Sequence, residues 1–166
     1  MITSLNPLRK HRTLTLILLS KITGDIYLGH YVRRQTRIMN DIIPETDTED
    51  MTLLSGSQNN LNVLAKLIFF SNYLLAAGLI IFLVLIAILP DNHIALNMMG
   101  LLLNLTAKMS YALGIGWSFM ARNRMNTFLK TKPEDPHYFH VLWTLLFGIF
   151  YFNFKINRLT QPSTMS

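Results

Sequence analysis

The feature that most limits how this chain can fold is the run LIFFSNYLLAAGLIIFLVLIAIL, Leu67 to Leu89, which carries no charged side chain. At ~1.5 Å per helical residue, a run of about 23 residues crosses the ~30 Å hydrocarbon core of a bilayer. Lipid offers backbone N–H and C=O groups no partner, so a spanning segment of this kind must be helical. Directly after it, Pro90-Asp91-Asn92-His93 joins a helix breaker to turn-forming residues, and a second apolar stretch, Ile94 to Ala121, follows at once. The middle of the chain therefore reads as a transmembrane helical hairpin, 67–89 and 94–121. The second span is about 28 residues long, more than a bilayer needs, and should tilt or project beyond it.

The hydrophobic share of the 166 residues, 51%, exceeds what a soluble domain of this length carries, which points to a single membrane domain over 1–166. Two weaker apolar segments flank the hairpin. One, 14–32, contains Lys21, Asp25 and His30; the other, 138–154, is about 17 residues long and sits at the lower limit for a crossing. The expected fold is an all-α membrane protein: a central transmembrane hairpin flanked by two helices that are interfacial, re-entrant or spanning, giving two to four spans. Residues 41–60, with Asp41, Glu45, Asp47, Glu49, Asp50 and a Ser-Gly-Ser-Gln-Asn-Asn stretch, read as a solvated, mobile acidic linker. Residues 122–135 read as a basic loop.

Lysine and arginine are absent from the turn at 90–93, whereas Arg33, Arg34, Arg37 and Lys66 precede the hairpin and Arg122, Arg124, Lys130 and Lys132 follow it. The bias of such residues toward the cytoplasmic side puts the turn outside and both hairpin ends inside. Each outer segment has basic residues on both flanks, so a full crossing would carry one cluster outward. Lying in the interface or re-entering without crossing keeps every cluster inside, and a four-span bundle is the alternative. The net charge of +6 is spread over the ends of apolar segments instead of forming one patch. That distribution favours anionic lipid headgroups over nucleic acid as the partner, with Arg33, Arg34, Arg37, Arg122, Arg124 and Arg158 as candidate contacts. With no cysteine in the chain, disulfides, thiolate metal sites and thiol catalysis are excluded. No small-x-small cleavage site follows the run Leu14 to Ser20, so the N-terminal segment is expected to be retained.

A short motif recurs. Gly24-Asp25-Ile26-Tyr27-Leu28-Gly29-His30-Tyr31-Val32-Arg33-Arg34 aligns with Gly148-Ile149-Phe150-Tyr151-Phe152-Asn153-Phe154-Lys155-Ile156-Asn157-Arg158, matching glycine, an apolar residue, tyrosine and a terminal arginine. Glycine permits close helix approach, tyrosine suits headgroup level, and arginine can reach phosphates. With the preceding residues, Leu18 to Tyr27 and Leu142 to Tyr151, these segments resemble a family of small, uncharacterised bacterial membrane proteins, a domain of unknown function with repeated Thr-x-Gly-Ile-Tyr-type segments. The chain departs from that pattern at Asp25 and lacks a tryptophan near Tyr31. The resemblance implies a multi-pass protein of the bacterial inner membrane and carries over no catalytic residue.

Within the second span, Asn97, Asn104, Lys108, Tyr111 and Ser118 are spaced to share one helix face, the expected polar interior of a bundle. Lys108 needs compensation at that depth. Its candidate charge partner is Asp25, the one acidic residue in an apolar segment; alternatively Lys21 pairs with Asp25 at i,i+4 while Lys108 uses carbonyls, Asn72 and Tyr111. Ser110, Gly114 and Ser118 form a small-residue stripe suited to close packing, within the chain or between copies. His137 and His140 lie near Glu134 and Asp135, but are read as interfacial side chains, so neither metal nor cofactor is expected. No Ser/His/Asp set, phosphate loop or carboxylate pair within a span is present. The expected role is a non-enzymatic accessory or scaffold subunit, with a membrane-protein partner or a second copy. An oligomeric channel, transporter component or holin-like pore is the alternative, and an enzyme using Asp25, His30, His137 or His140 is the third reading.

Overall fold

The computed structural model describes residues 2–9, 12–43, 58–89 and 93–160, and every regular element among them is helical. After a short 3-10 helix, Ile2–Leu8, come α1 (Thr13–Ile22), α2 (Ile26–Ile42), α3 (Gln58–Ile88), α4 (His93–Leu129) and α5 (Val141–Leu159). The chain is thus all-α, and α3 and α4 are both long and apolar enough to cross a bilayer.

At 31 and 37 residues, these two helices reach ~46 and ~55 Å. They run antiparallel, Asn72 facing Ser110 and Gly78 facing Leu103. Their buried residues crowd into one end, Leu61, Ala65, Ile68 and Asn72 of α3 against Gly114 to Asn126 of α4. The other end has no cover among the described residues and exposes Leu74, Ile80, Leu83, Ile94, Leu101 and Leu102. A bare apolar rod of that kind suits lipid and is a liability in water.

Both helices outrun the expected spans. The residues 122–129, expected as loop, extend α4 because Arg124, Met125 and Asn126 continue its buried face; the helix stops where Lys130 takes φ 52. Of the expected linker, 41–42 and 58–60 are helix ends, and 44–57 lie outside the described residues. So do residues 90–92 of the expected turn.

The two outer segments, expected as single helices, are each broken at the repeated glycine and folded back. In the first, Gly24 and Asp25 adopt left-handed φ values of 57 and 65 between α1 and α2. Glycine takes this region without penalty and aspartate tolerates it. Thr23 spans the break, its hydroxyl donating to Leu19 O (2.7 Å) while accepting from Tyr27 N (3.1 Å), so it serves a carbonyl of the first helix and an amide of the second. At the far end of this V, Gln35 Nε2 donates to Leu8 O (2.8 Å) and Arg34 Nη2 to Pro7 O (3.1 Å).

The second V is α5 itself, interrupted by Gly148 at φ 48, ψ −124. Its arms close on each other: His140 N donates to Tyr151 Oη (3.2 Å), Lys155 Nζ donates to Pro136 O (2.6 Å), and the Phe139 and Phe152 rings lie 5.8 Å apart. The ten residues of α1 reach ~15 Å, half a hydrocarbon core. The arms of α5 on either side of Gly148 are likewise too short to cross, whereas α2, at 17 residues, stands at the lower limit for a span.

One arm of each V packs on the hairpin. In α2, Gly29 meets α3 so closely that an added Cβ would lie 3.1 Å from Phe69 Cα. In α5, Phe152 lies edge-on to Trp117 of α4, ring centres 5.3 Å apart, and Trp117 Nε1 donates to Thr36 Oγ1 of α2 (2.8 Å). Tyr31 Oη donates to Asn153 Oδ1 (2.9 Å), tying the two V-shaped units together; burial drives the Tyr31 phenol well above its ordinary range.

The break glycines differ in what they demand. An added Cβ finds nothing within 4 Å at Gly24 and only Ser118 Oγ, 3.5 Å away, at Gly148, so any penalty comes from the backbone. Gly24→Ala should cost ~1 kcal/mol and Gly148→Ala, outside the ordinary left-handed basin, ~1–3 kcal/mol. Thermal unfolding in mild detergent should rank wild type above Gly24→Ala above Gly148→Ala; an unchanged Gly148→Ala protein would refute the strained break.

Candidate functional site: a cavity between the two helix breaks

The breaks meet the hairpin at one level. Asn72, 1% exposed, donates through Nδ2 to the Asp25 carbonyl (2.8 Å), and Ser110 Oγ donates to Asn72 Oδ1. One side-chain amide thus links the broken segment, α3 and α4. On the opposite flank Ser118 donates back to Gly114 O (2.8 Å), and a Cβ on Gly114 would lie 3.3 Å from Ile149 Cδ1. Between the breaks lies a cavity of about 270 Å³, whose walls include Leu28, Leu75, Ile115 and Phe150 and whose polar lining is Lys21, Asp25, Asn72, Ser110 and Tyr111. Asn72 stands about five residues into the apolar run that starts at Leu67, or ~7 Å deep.

The small-residue stripe acts within the chain: Ser110 meets Asn72, Gly114 meets Ile149, and Ser118 lies beside Gly148. The expected polar face does not turn inward. Asn97, Asn104, Lys108 and Tyr111 are exposed, and only Ser118 of that set is buried. The face used is Leu103, Ser110, Gly114, Trp117 and Ala121, rotated ~90° away at 100° per residue. Close approach selects small side chains at those positions, and the polar ones are left on an open flank. Among the described residues no ion pair joins Asp25 to Lys108 or to Lys21. Asp25 serves α3 through its carbonyl instead, while its side chain and Lys21 line the cavity.

The candidate headgroup arginines divide. Arg124 is buried, donating to Asn40 Oδ1 (2.6 Å) and Ile43 O (2.8 Å), so it ties α4 to the end of α2 and is removed from any lipid surface. Arg34 is half-buried against Pro7 O. Arg33 and Arg122 lie over the Phe69 and Phe119 rings at 5.1 and 5.5 Å, and Arg37 and Arg158 are exposed. His30 Nε2 shares a hydrogen bond with Tyr73 Oη (2.9 Å). His137 and His140 are exposed, and among the described residues no three His, Cys, Asp or Glu side chains gather as a metal site would require.

The chain matches no protein-family model, no curated protein and no solved structure. Its own geometry is therefore what bears on function.

One buried charged side chain goes beyond the candidates of the sequence reading. Lys155 is 6% exposed, and burial, followed by the nearby Arg158 charge, lowers its pKa below the ordinary lysine value. The repeat alignment held a signal for this, since Lys155 occupies the place of Tyr31, seven residues after the break glycine in each copy, and both are buried.

Asn72 supplies both a donor and an acceptor to buried groups, so Asn72→Leu should lower stability by ~1–3 kcal/mol and Ser110→Ala by ~1 kcal/mol or less. Denaturation of the detergent-solubilised variants checks the order. Equal losses would mean that the Asp25 carbonyl does not depend on Asn72.

Proposed function

We propose that the chain is a non-enzymatic, multi-pass membrane subunit, an accessory or scaffold protein that presents one flank of α4 to another membrane protein. The observation that carries this reading is the open polar flank of α4, with Asn104 and Lys108 exposed in the uncovered apolar half of the hairpin and Tyr111 exposed at its edge, beside the cavity between the breaks. Lys108 stands level with about Leu74 by the antiparallel pairing of α3 and α4. A lysine facing hydrocarbon at that depth costs ~2.5–3.5 kcal/mol, and a partner carrying a carboxylate or carbonyls offsets that cost.

The charge distribution supports a cytoplasmic base. Arg33, Arg37, Lys66, Arg122, Lys130 and Lys132 all belong to the end where the V arms terminate, and the resemblance to small bacterial inner-membrane proteins agrees with that placement. The enzymatic reading finds less support, because His30 engages Tyr73 while His140 lies against Tyr138. The same flank also favours a second reading, a self-associated pore lined by Asn97, Asn104 and Lys108.

Two measurements test the reading. Because the chain has no cysteine, single cysteines at Asp41, Asn92 and Thr131 can be probed on intact cells with an impermeant maleimide. Labelling is expected at position 92 alone, and labelling at 41 or 131 would invert the topology. A photoreactive residue at Tyr111 should form a membrane adduct with a different polypeptide that Lys108→Leu abolishes. An adduct between two copies only, with a conductance altered by Lys108→Leu, would favour the pore; no adduct at all would reject both.

A further inference from the structure

A second concavity lies along α5, between its two arms and Thr13 and Ile17 of α1, and shares the Phe147 and Phe150 walls with the cavity between the breaks. It is a groove of about 610 Å³, walled by Trp143, Phe147, Phe150 and Phe154 and closed at one end by Lys155 and Arg158. The stacked Trp143 and Phe147 rings, 5.7 Å apart, form one wall. Along α5 the lining changes from aromatic near Gly148 to cationic at the base, over about eight residues or ~12 Å.

The cationic end lacks an anion. Lys155 is buried, yet its one hydrogen bond is to the Pro136 carbonyl, so two of the three ammonium donors have no partner among the described residues. Arg158 stands exposed beside it, and no carboxylate lines the groove. Two adjacent cations, one of them desolvated and without a counter-charge, are stabilised by an anion with several acceptor oxygens. The aromatic wall above them calls for an acyl chain, and the order is that of a lipid in the cytoplasmic leaflet: charge at the base, hydrocarbon toward the membrane middle.

We propose that this groove is a binding site for one anionic phospholipid, whose phosphodiester sits between Lys155 and Arg158 and whose acyl chain lies along Trp143, Phe147 and Phe150. The site rests on the membrane placement proposed above. It differs from general attraction of basic residues to a charged surface because it holds a single lipid in a fixed orientation, and so discriminates by headgroup. Phosphatidylglycerol satisfies both ends of the groove. Phosphatidylcholine brings a quaternary ammonium beside the two cations and is disfavoured.

The test uses the full chain reconstituted in phosphatidylcholine nanodiscs that contain a minor fraction of lipid brominated on its acyl chains. Trp143 lines the groove, whereas Trp117 is sealed in the core. Brominated phosphatidylglycerol should quench the fluorescence more than the same fraction of brominated phosphatidylcholine, and Trp143→Phe should remove the difference. Arg158→Gln, at an exposed position, should weaken the preference about tenfold while leaving thermal stability unchanged; Lys155→Met should abolish it. Equal quenching by the two lipids, or an Arg158→Gln preference like that of wild type, would overturn the site. Loss of preferential quenching on adding inorganic phosphate would replace the lipid with a soluble anion. Failure of the chain to enter nanodiscs at all would instead overturn the membrane placement, an outcome separable from loss of headgroup preference in a protein that does enter.

Discussion

A helix broken among apolar side chains leaves backbone amides and carbonyls that must find partners inside the protein, and this requirement organises the whole molecule. Here two helices are broken, and the first break is repaired by local and tertiary means. Thr23 serves both sides of the first, while Asn72 reaches across from the hairpin to take the Asp25 carbonyl. Ser110 then fixes the orientation of Asn72 from the opposite helix. The V is therefore held in place by the hairpin it leans on, and position 72 takes a side chain that can donate and accept at once.

The rest of the base core follows from this arrangement. Once each V folds back, its second arm presents an amphipathic face to the hairpin, and the two faces meet around Trp117, Phe152 and Tyr31. Polar groups inside this core are paired across elements, Trp117 with Thr36, Tyr31 with Asn153, and Arg124 with Asn40 and Ile43. Such pairings fix register between helices as well as adding stability. The opposite half of the hairpin has no comparable network and depends on what surrounds it.

The hairpin was legible in the sequence because an uninterrupted apolar run ended by Pro-Asp-Asn has few other uses. The breaks were half legible. The Gly24 and Gly148 repeat marked their positions, yet apolar periodicity continues across both, and only the positive φ values separate a V from a straight helix. The polar face of α4 was misassigned because spacing groups polar residues without saying which face packs; contact at Ser110 and Gly114 depends on neighbours remote in sequence. Arg124 illustrates the same limit, since its bonds to Asn40 and Ile43 cross more than eighty positions of chain. The roles of Asn72 and Lys155 likewise depended on which backbone carbonyl lies opposite.

The folding back of both outer segments bears on how such a chain is made. On the proposed placement, only the stretch that joins α3 to α4 is carried across the bilayer during synthesis, and that stretch contains no lysine or arginine. Insertion is then one event, the entry of a single helical hairpin, with no basic loop to export against the membrane potential. Both V-shaped units dock afterwards from the side on which translation occurs. The first is already synthesised when the hairpin emerges and waits for α3, whereas the second forms only after α4 has left the ribosome. The Tyr31 to Asn153 bond needs both units, and so it has no partner to form with until α5 has been made.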